Sequence, residues 1–241
     1  MNAVLLLAGR ELRTYFNTTW GWIVLASVLL FDGLFFNVFG LTERPRYSAE
    51  VLEDFFFYTS GTVMIGGLFL TMRLLAEERQ TGTLVLLESA PISAAQVVAG
   101  KFLGAWGFML VILACTSYMP ALIFVNGKVS MAQVAVGYLG VALASGTTIA
   151  IGTFASALAR NQLLAVVLGG AFTLVIVICW FLSRFTEAPL SDVLAYVALW
   201  DKHFQPFMRG RLNTENLVYF GSVSFASLLA ATRALQARRW Q

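Results

Sequence analysis

Four charged side chains, Arg73, Glu77, Glu78 and Arg79, lie close together in an otherwise apolar chain, and Glu88 follows shortly after them. Carboxylates and guanidinium groups at this spacing can pair with one another along a helix or bind the charged groups of a partner. In one interpretation the charges only fix the topology of a loop between two membrane spans. In the other they belong to an ordered segment that docks onto another protein surface.

Asp32 is the acidic residue that lies inside a predicted span. A charged side chain at the centre of a membrane helix costs about 2.5–3.5 kcal/mol, so such residues usually face a cavity, a partner or a substrate path. Asn37 could extend a polar stripe from it. Asp32 and Asn37 are therefore candidates for a translocation path, and snorkelling of Asp32 towards the membrane surface is the alternative.

The remaining reactive side chains favour neither catalysis nor metal binding. Cys115 and Cys179 lie in predicted spans and are expected to be small buried apolar residues. His203 is the only histidine, and no second ligand lies at a suitable spacing. We therefore predict no catalytic residue and no metal site, and a membrane-embedded enzyme is disfavoured.

A phosphate-binding loop is also missing from the sequence. The pattern G-x-x-x-x-G-K-[ST] does not occur, because Gly100-Lys101 and Gly127-Lys128 lack both the earlier glycine and the following Ser or Thr. We expect this chain to bind no cofactor and to hold no ATP phosphates in that way.

The composition is that of an integral membrane protein. Of its 241 residues, 59% are hydrophobic and 12% charged, whereas a soluble domain carries roughly 25% charged residues. Uncharged runs long enough to cross a bilayer predict an all-α fold of six transmembrane helices in a single domain, residues 1–241. The predicted spans cover about residues 20–39, 55–75, 102–125, 132–158, 163–182 and 217–233.

Polar segments flank these spans. Residues 3–17 predict an amphipathic helix in the membrane interface. A polar loop that includes Glu50, Glu53 and Asp54 precedes the second span, and an interfacial or re-entrant helix is expected on the outer side between spans 5 and 6. Lysines and arginines cluster near the span ends on the side of the termini, which predicts cytosolic N- and C-termini in the inner (cytoplasmic) membrane.

Residues 76–93, called the elbow below, have the signals of a shaped turn. The second span is predicted to continue as a helix to Gln80 and to end at Gly82, because glycine accepts a left-handed conformation. Residues 83–89 then predict a short helix with Leu84 and Leu87 on one face, and Pro91 ends it. Ser93 and Gln96 form a capping box for the helix that enters the third span. Near its start, Gly100 and Gly104 are expected to permit close helix packing, and Gly100-x-x-x-Gly104 is also a weak dimerisation motif.

The elbow and its surroundings resemble a known family. The stretch FFFYTSGTVMIGGLFLTMRLLAEERQTGTLVLLESAPISAAQVVAGKFLG is similar to the conserved region of ABC-2 type transporter permeases. The N-terminal RELRTYFNTTWGWIV resembles the gliding-motility and copper-maturation branch of that family, and HFQPFMRGRLNTENLVYF is similar to its segment before the last span. The residues of the elbow that carry the resemblance are Glu77, Glu78, Arg79, Gly82, Thr83, Leu84, Leu87, Pro91, Ser93, Gly100 and Lys101.

The resemblance implies the membrane subunit of an ATP-binding cassette transporter. Two such subunits, identical or related, would pair with two separately encoded ATPase subunits, which would bind ATP and its magnesium ion, and the elbow would be the coupling helix. Glu77, Glu78 and Arg79 would then be polar contacts with the ATPase, and Gly82 and Pro91 would set the shape. The N-terminal helix, with Arg10, Glu11 and Arg13, would be a second contact.

Two functions remain open on the sequence. The first is an ATP-driven permease, an exporter in our interpretation. The second is a non-transporting anchor or assembly subunit of an envelope machine, for example one related to motility or pili, which would use the same ATPase contacts. The spans do not identify the cargo. Their aliphatic and aromatic residues would suit an amphipathic or lipid-linked cargo, but they suit contact with membrane lipid equally well.

Overall fold

The computed structural model describes residues 3–40, 47–83, 91–126 and 129–238, and in these ranges the chain is helical and has no strand. The chain is an all-α integral membrane protein, and within the described residues six helices are long and apolar enough to cross a bilayer. The six spans are Thr19–Gly40, Ser48–Gln80, Ala94–Val125, Met131–Leu158, Gln162–Ser183 and Thr214–Ala237.

The helices, in chain order, divide the spans further. Helix α1 is Ala3–Asn17, α2 is Thr19–Phe35 with a wider turn at Phe36–Gly40, α3 is Ser48–Thr71 and α4 is Ala76–Gln80. The third span consists of α5 (Ala94–Cys115) and α6 (Tyr118–Asn126), and the fourth and fifth spans are α7 (Met131–Leu158) and α8 (Gln162–Ser183). After α9 (Leu190–Val197), the turn Leu199–Phe204 and α10 (Gln205–Met208), the sixth span is α11 (Thr214–Arg238).

Three segments differ from the prediction. Glu50, Glu53 and Asp54 belong to the first turns of α3 and not to a loop, since carboxylates stabilise a helix N-terminus. The second span does not run unbroken to Gln80, because residues 72–75 form turns between α3 and α4. The third span is interrupted at residues 116–117, where the ring of Pro120 would clash with the carbonyl four positions earlier in a continuous helix.

The fourth span lies at the centre of the bundle. Helix α7 packs against α3, α5, α8 and α11, and small residues on it let neighbours approach closely. Gly152 is one of them: a Cβ there would lie only 2.1 Å from the Thr71 hydroxyl oxygen. The end of the second span is therefore held directly against the backbone of α7, which places the elbow on the central helix.

One end of the bundle gathers α1, the elbow and the end of the sixth span. Leu235 of α11 packs with Leu75 and with Val97 of α5 in a single apolar cluster. Helix α1, which has the predicted bounds, packs on α5 and α2 at this end. Both termini therefore emerge on the side of the bundle that carries the elbow.

The opposite end is closed by the segment between spans 5 and 6. Trp200 donates its indole N–H to the Ser60 hydroxyl at 2.9 Å, and Gln133 donates its amide to the Met208 carbonyl at 3.0 Å. These bonds tie the segment to the second and fourth spans. The short helices α9 and α10 occur where the sequence predicts an interfacial or re-entrant helix.

Candidate functional site

The elbow begins with a turn that the fourth span holds in place. The Ser156 hydroxyl oxygen accepts hydrogen bonds from the backbone N–H groups of both Leu75 and Ala76, each at 3.1 Å. These are free donors at the start of α4, since the break after α3 removes their helical partners. A side chain of α7 therefore caps the short helix, and Ser156 itself is completely buried.

Arg73 and Glu77 pair across this turn. The Arg73 Nε donates to a Glu77 carboxylate oxygen at 2.6 Å, and its Nη2 donates to the other oxygen. Both side chains are about one-third exposed, so the pair is worth only about 0.3–0.5 kcal/mol. The Arg73 guanidinium also lies 6.0 Å from the ring centre of Trp20, which ties the turn to the first span.

Glu78, the next residue, belongs to a buried cluster of three charges. The Lys101 ammonium of α5 lies 2.9 Å from a Glu78 carboxylate oxygen and 3.2 Å from one of Glu11 in α1. Only 5% of the Lys101 side chain is exposed. One lysine thus joins the elbow, the third span and the N-terminal helix, and we call Glu11, Lys101 and Glu78 the charge bridge.

Two glycines make the charge bridge possible. A Cβ at Gly100 would lie 2.6 Å from the Cβ of Leu7, and one at Gly104 would lie 2.5 Å from the Cβ of Glu11. Both distances are shorter than a carbon–carbon contact allows, so α1 crosses α5 at the glycine pair. The Gly100-x-x-x-Gly104 motif therefore packs a helix of the same chain, and this face is not free for the predicted dimer contact.

Arg79 fixes the end of α4. Its two terminal nitrogens donate to the carbonyls of Ala157 and Ala159, the former at 3.1 Å. These carbonyls lie at the C-terminal end of α7, where the helix leaves carbonyl groups unsatisfied and favours a positive charge. Glu77, Glu78 and Arg79 are thus all engaged within the chain.

The tip of the elbow is open to the surroundings. Gln80, Thr81, Gly82 and Thr83 are exposed, and Gly82 has a φ of +74°, as expected for the glycine that ends the helix. Leu84 and Leu87, with the short helix predicted at residues 83–89, lie outside the described residues apart from Thr83, which is in a turn.

The return of the chain towards the third span matches the prediction. Pro91 is exposed at the start of it. The predicted capping box is present: the Gln96 N–H donates to the Ser93 hydroxyl at 3.2 Å, and the Ser93 N–H donates to the Gln96 side-chain oxygen at 2.9 Å. The helix that becomes the third span therefore starts at a defined residue immediately after the elbow.

A cleft of about 620 Å³ separates α1 from the elbow. Polar and charged side chains from both sides form its walls, among them Arg10, Glu11, Arg73, Glu77, Glu78, Thr81, Thr83 and Lys101. Arg10 and Arg13 are exposed on α1, while Glu11 turns towards Lys101. The cleft thus has one wall on each of the two segments that the sequence predicts as partner contacts.

Tyr15 fixes α1 at the base of the cleft. Its hydroxyl donates to the Leu70 carbonyl at 2.9 Å, and its ring stacks on Phe108 with 5.1 Å between ring centres. Burial, helped by the nearby Glu11 carboxylate, raises the pKa of Tyr15 well above its ordinary value. The phenol therefore stays a neutral hydrogen-bond donor.

Asp32 and Asn37 do not share a face. Asp32 is only 2% exposed and accepts a hydrogen bond from the Thr62 hydroxyl of α3, whereas Asn37 lies exposed in the wider turn after α2. The predicted polar stripe between them is therefore absent. Asp32 is enclosed between spans and does not reach the membrane surface by snorkelling.

His203 is a buried structural residue at the opposite end. Its Nδ1 lies 3.2 Å from the Asn216 side-chain oxygen, and its Nε2 lies 3.0 Å from the Tyr196 carbonyl. The imidazole stacks on Tyr219 with 3.7 Å between ring centres. These contacts join the segment before α10 to the sixth span.

Sequence reasoning missed the residues that hold the elbow in place. Lys101 belongs to the family pattern, but the pattern does not indicate its partners within the chain. The sequence gives Ser156 no predicted role. A signal existed for Lys101, since a lysine between Gly100 and Gly104 lies on a helix face that another helix can approach closely. No local signal marks Ser156, because its partners are eighty residues away in the sequence.

A family comparison agrees with this architecture. A family model described as ABC-2 family transporter protein matches residues 17–208, which extend from the end of α1 to the end of α10. Among curated proteins, none matches the chain. The match includes the elbow, Lys101 and Ser156, whereas Glu11 lies before it.

Proposed function

The chain belongs to the ABC-2 family of transporter proteins and is the membrane subunit of an ATP-binding cassette transporter, and from that premise we propose that separately encoded ATPase subunits drive it through the elbow. The attachment of the elbow supports this proposal. Its exposed tip is tied to the third span through Lys101 and to the fourth span through Ser156 and Arg79. A force on the tip would therefore move both spans together.

The proposed contact divides the predicted residues into two groups. Gly82, Thr83, Leu84, Leu87 and Pro91 form the part of the elbow that meets the ATPase. Glu77, Glu78 and Arg79 keep their predicted place in this contact and also fix the elbow to the membrane domain through their bonds within the chain. This second role follows from the distances above and was not part of the sequence prediction.

Helix α1 is the proposed second contact. Arg10, which lines the cleft, and Arg13 are exposed on α1 and can meet acidic groups of the partner, whereas Glu11 holds the helix to Lys101. Since the charge bridge links α1 to the elbow, the two contacts would move as one unit during a cycle of ATP binding and hydrolysis.

The assembly we propose is a pair of these chains, identical or related, in the inner membrane with cytosolic termini, working as an exporter. Asp32, which is enclosed between the first and second spans, would act beside the translocation path. Asn37, which is exposed, would lie at the outer end of that path. The resemblance to the gliding-motility and copper-maturation branch stays a prediction.

The experiment is purification of the complete complex with its ATPase subunits, followed by reconstitution in nanodiscs. Replacing Glu77, Glu78 and Arg79 together by alanine should lower ATP turnover or release the ATPase. The matched control removes the pair Glu53–Arg209 at the opposite end, whose atoms are 3.4 Å apart, and should leave both unchanged. An intact complex with normal turnover after the triple change would contradict the coupling role. Substrate-stimulated turnover would favour a permease over an anchor subunit.

A further inference from the structure

Asp32 has an incomplete hydrogen-bond set inside the membrane. One carboxyl oxygen accepts from the Thr62 hydroxyl, while the other, Oδ2, is buried and has no partner among the described residues. The Thr59 hydroxyl, one helical turn before Thr62 on α3, is also buried without a partner there. An ionised carboxylate would need more donors than this to replace its lost hydration.

No cation in the described part of the chain pairs with Asp32. The titratable side chains around it are phenols: Tyr138 of the fourth span is within electrostatic range, and the Tyr118 hydroxyl lies 3.8 Å from the position of a Cβ on the adjacent Gly33. Tyr58 of α3 stacks on Phe35, one turn further along α2. Phenols are neutral near pH 7, so none of them balances a negative charge on Asp32.

A groove of about 400 Å³ between α2 and α3 has Thr62, the hydrogen-bond partner of Asp32, in its wall. Its apolar walls include Val28, Phe31, Ile65 and Gly66. Thr62 also lines the groove, but Asp32 does not. The Thr62 side chain thus contacts the groove on one side and Asp32 on the other. A ligand that reaches the carboxyl group in this conformation has to be very small.

We propose that Asp32, hydrogen-bonded to Thr62, is a proton-binding site inside the membrane that is occupied in this conformation and is reached from the groove past Thr62. A bound proton removes the uncompensated charge of Asp32. The neutral carboxyl group needs fewer hydrogen-bond donors than a carboxylate, so the single hydrogen bond from Thr62 is sufficient. This site is a property of the isolated membrane subunit. It does not depend on the proposed coupling to an ATPase.

The test is labelling with dicyclohexylcarbodiimide, an apolar reagent that reacts with protonated carboxyl groups. The acid transfers its proton to a carbodiimide nitrogen, its oxygen bonds to the central carbon, and the adduct rearranges to a stable N-acylurea from which nothing leaves. An exposed aspartate is protonated in roughly one molecule per thousand at pH 7. We therefore expect the peptide with Asp32 to be labelled at least about tenfold more than the exposed Glu187 and Asp192, and labelling to fall as the pH rises.

Two variants sharpen the result. Asp32→Asn should abolish the label and should fold, because the amide is a neutral group of nearly the same size as the protonated carboxyl group. Thr62→Val removes the hydrogen bond that stabilises the ionised form of Asp32. Asp32 should therefore stay protonated, and be labelled, up to a pH at least about one unit higher.

Infrared difference spectra between the original protein and Asp32→Asn provide an independent readout of the proton. A protonated-carboxyl band at about pH 7 supports the site. Its absence, with only a carboxylate band, would overturn the proposal. The band without any labelling would overturn access from the groove, and equal labelling of Asp32, Glu187 and Asp192 would overturn the claim of a distinct site.

Discussion

The ammonium group of Lys101 lies between the carboxylates of Glu78 and Glu11, at 2.9 Å and 3.2 Å. These residues belong to three segments that are far apart in the sequence: the elbow, the third span and the N-terminal helix. Because the lysine is almost completely buried, its loss would leave Glu11 and Glu78 side by side without the ammonium group that both contact. The charge bridge should therefore be sensitive to mutation.

Lys101→Met should destabilise the protein by about 3–5 kcal/mol, the usual effect of removing one partner of a buried pair. Thermal unfolding in detergent measures it. Lys101→Arg should recover most of the stability. The triple change Lys101→Met, Glu11→Gln and Glu78→Gln should do so as well, because neutralising all members of a buried ion pair removes the unpaired charges. Equal loss in the single and triple variants would show that the charges themselves are unimportant.

Gly104→Ala should loosen the N-terminal helix. The added Cβ would lie 2.5 Å from the Cβ of Glu11 and 3.0 Å from the Ala8 carbonyl, and overpacking of this kind costs about 1–3 kcal/mol. Limited trypsin cleavage after Arg10 and Arg13 should accelerate. Gly107→Ala is the matched control, since within the described part of the chain its Cβ would meet Leu12 alone, at an ordinary 3.9 Å. Similar cleavage rates in the two variants would contradict a close crossing of α1 over α5.

The features that the sequence predicts correctly depend on local signals. A φ of +74° at Gly82 and the capping box of Ser93 and Gln96 each follow from residues a few positions apart. The six spans follow from the length of apolar runs. Pro120 is a local signal for the break in the third span, whereas the apolar run by itself predicts one continuous helix.

The contacts that fix the candidate site are long-range and could not be predicted in this way. The glycines beside Lys101 mark a helix face that another helix can approach but do not say which helix it is, and Ser156 looks like a small residue of a membrane helix. Their roles depend on which helices meet, and hydrophobicity does not distinguish between neighbours in a bilayer, because lipid tails are as apolar as leucine.

Ser156→Ala should weaken the attachment of α4 to the fourth span. It leaves the N–H groups of Leu75 and Ala76 buried without an acceptor, at a cost of about 1–3 kcal/mol. Hydrogen exchange at these two amides should accelerate, as followed by mass spectrometry. Ser145→Ala is the control: Ser145 is equally buried on the same helix, and its hydroxyl donates to Ala142 of its own helix. Unchanged hydrogen exchange in Ser156→Ala would show that Ser156 does not hold the elbow against the fourth span.

Gly82→Ala tests whether the shape of the elbow tip controls ATP turnover. Gly82 has a left-handed backbone, which costs an ordinary residue about 1–2 kcal/mol, and no atom of the described residues lies within 4 Å of the position of an added Cβ. The substitution therefore changes the backbone preference and adds no clash. Turnover of the reconstituted complex should fall, and Gly82→Asn should fall less, because asparagine tolerates this conformation better than alanine. Both variants should unfold near the temperature of the original membrane subunit, since the tip is exposed. If Asn and Ala reduce turnover equally, the loss comes from the added side chain at the contact and not from the shape of the turn.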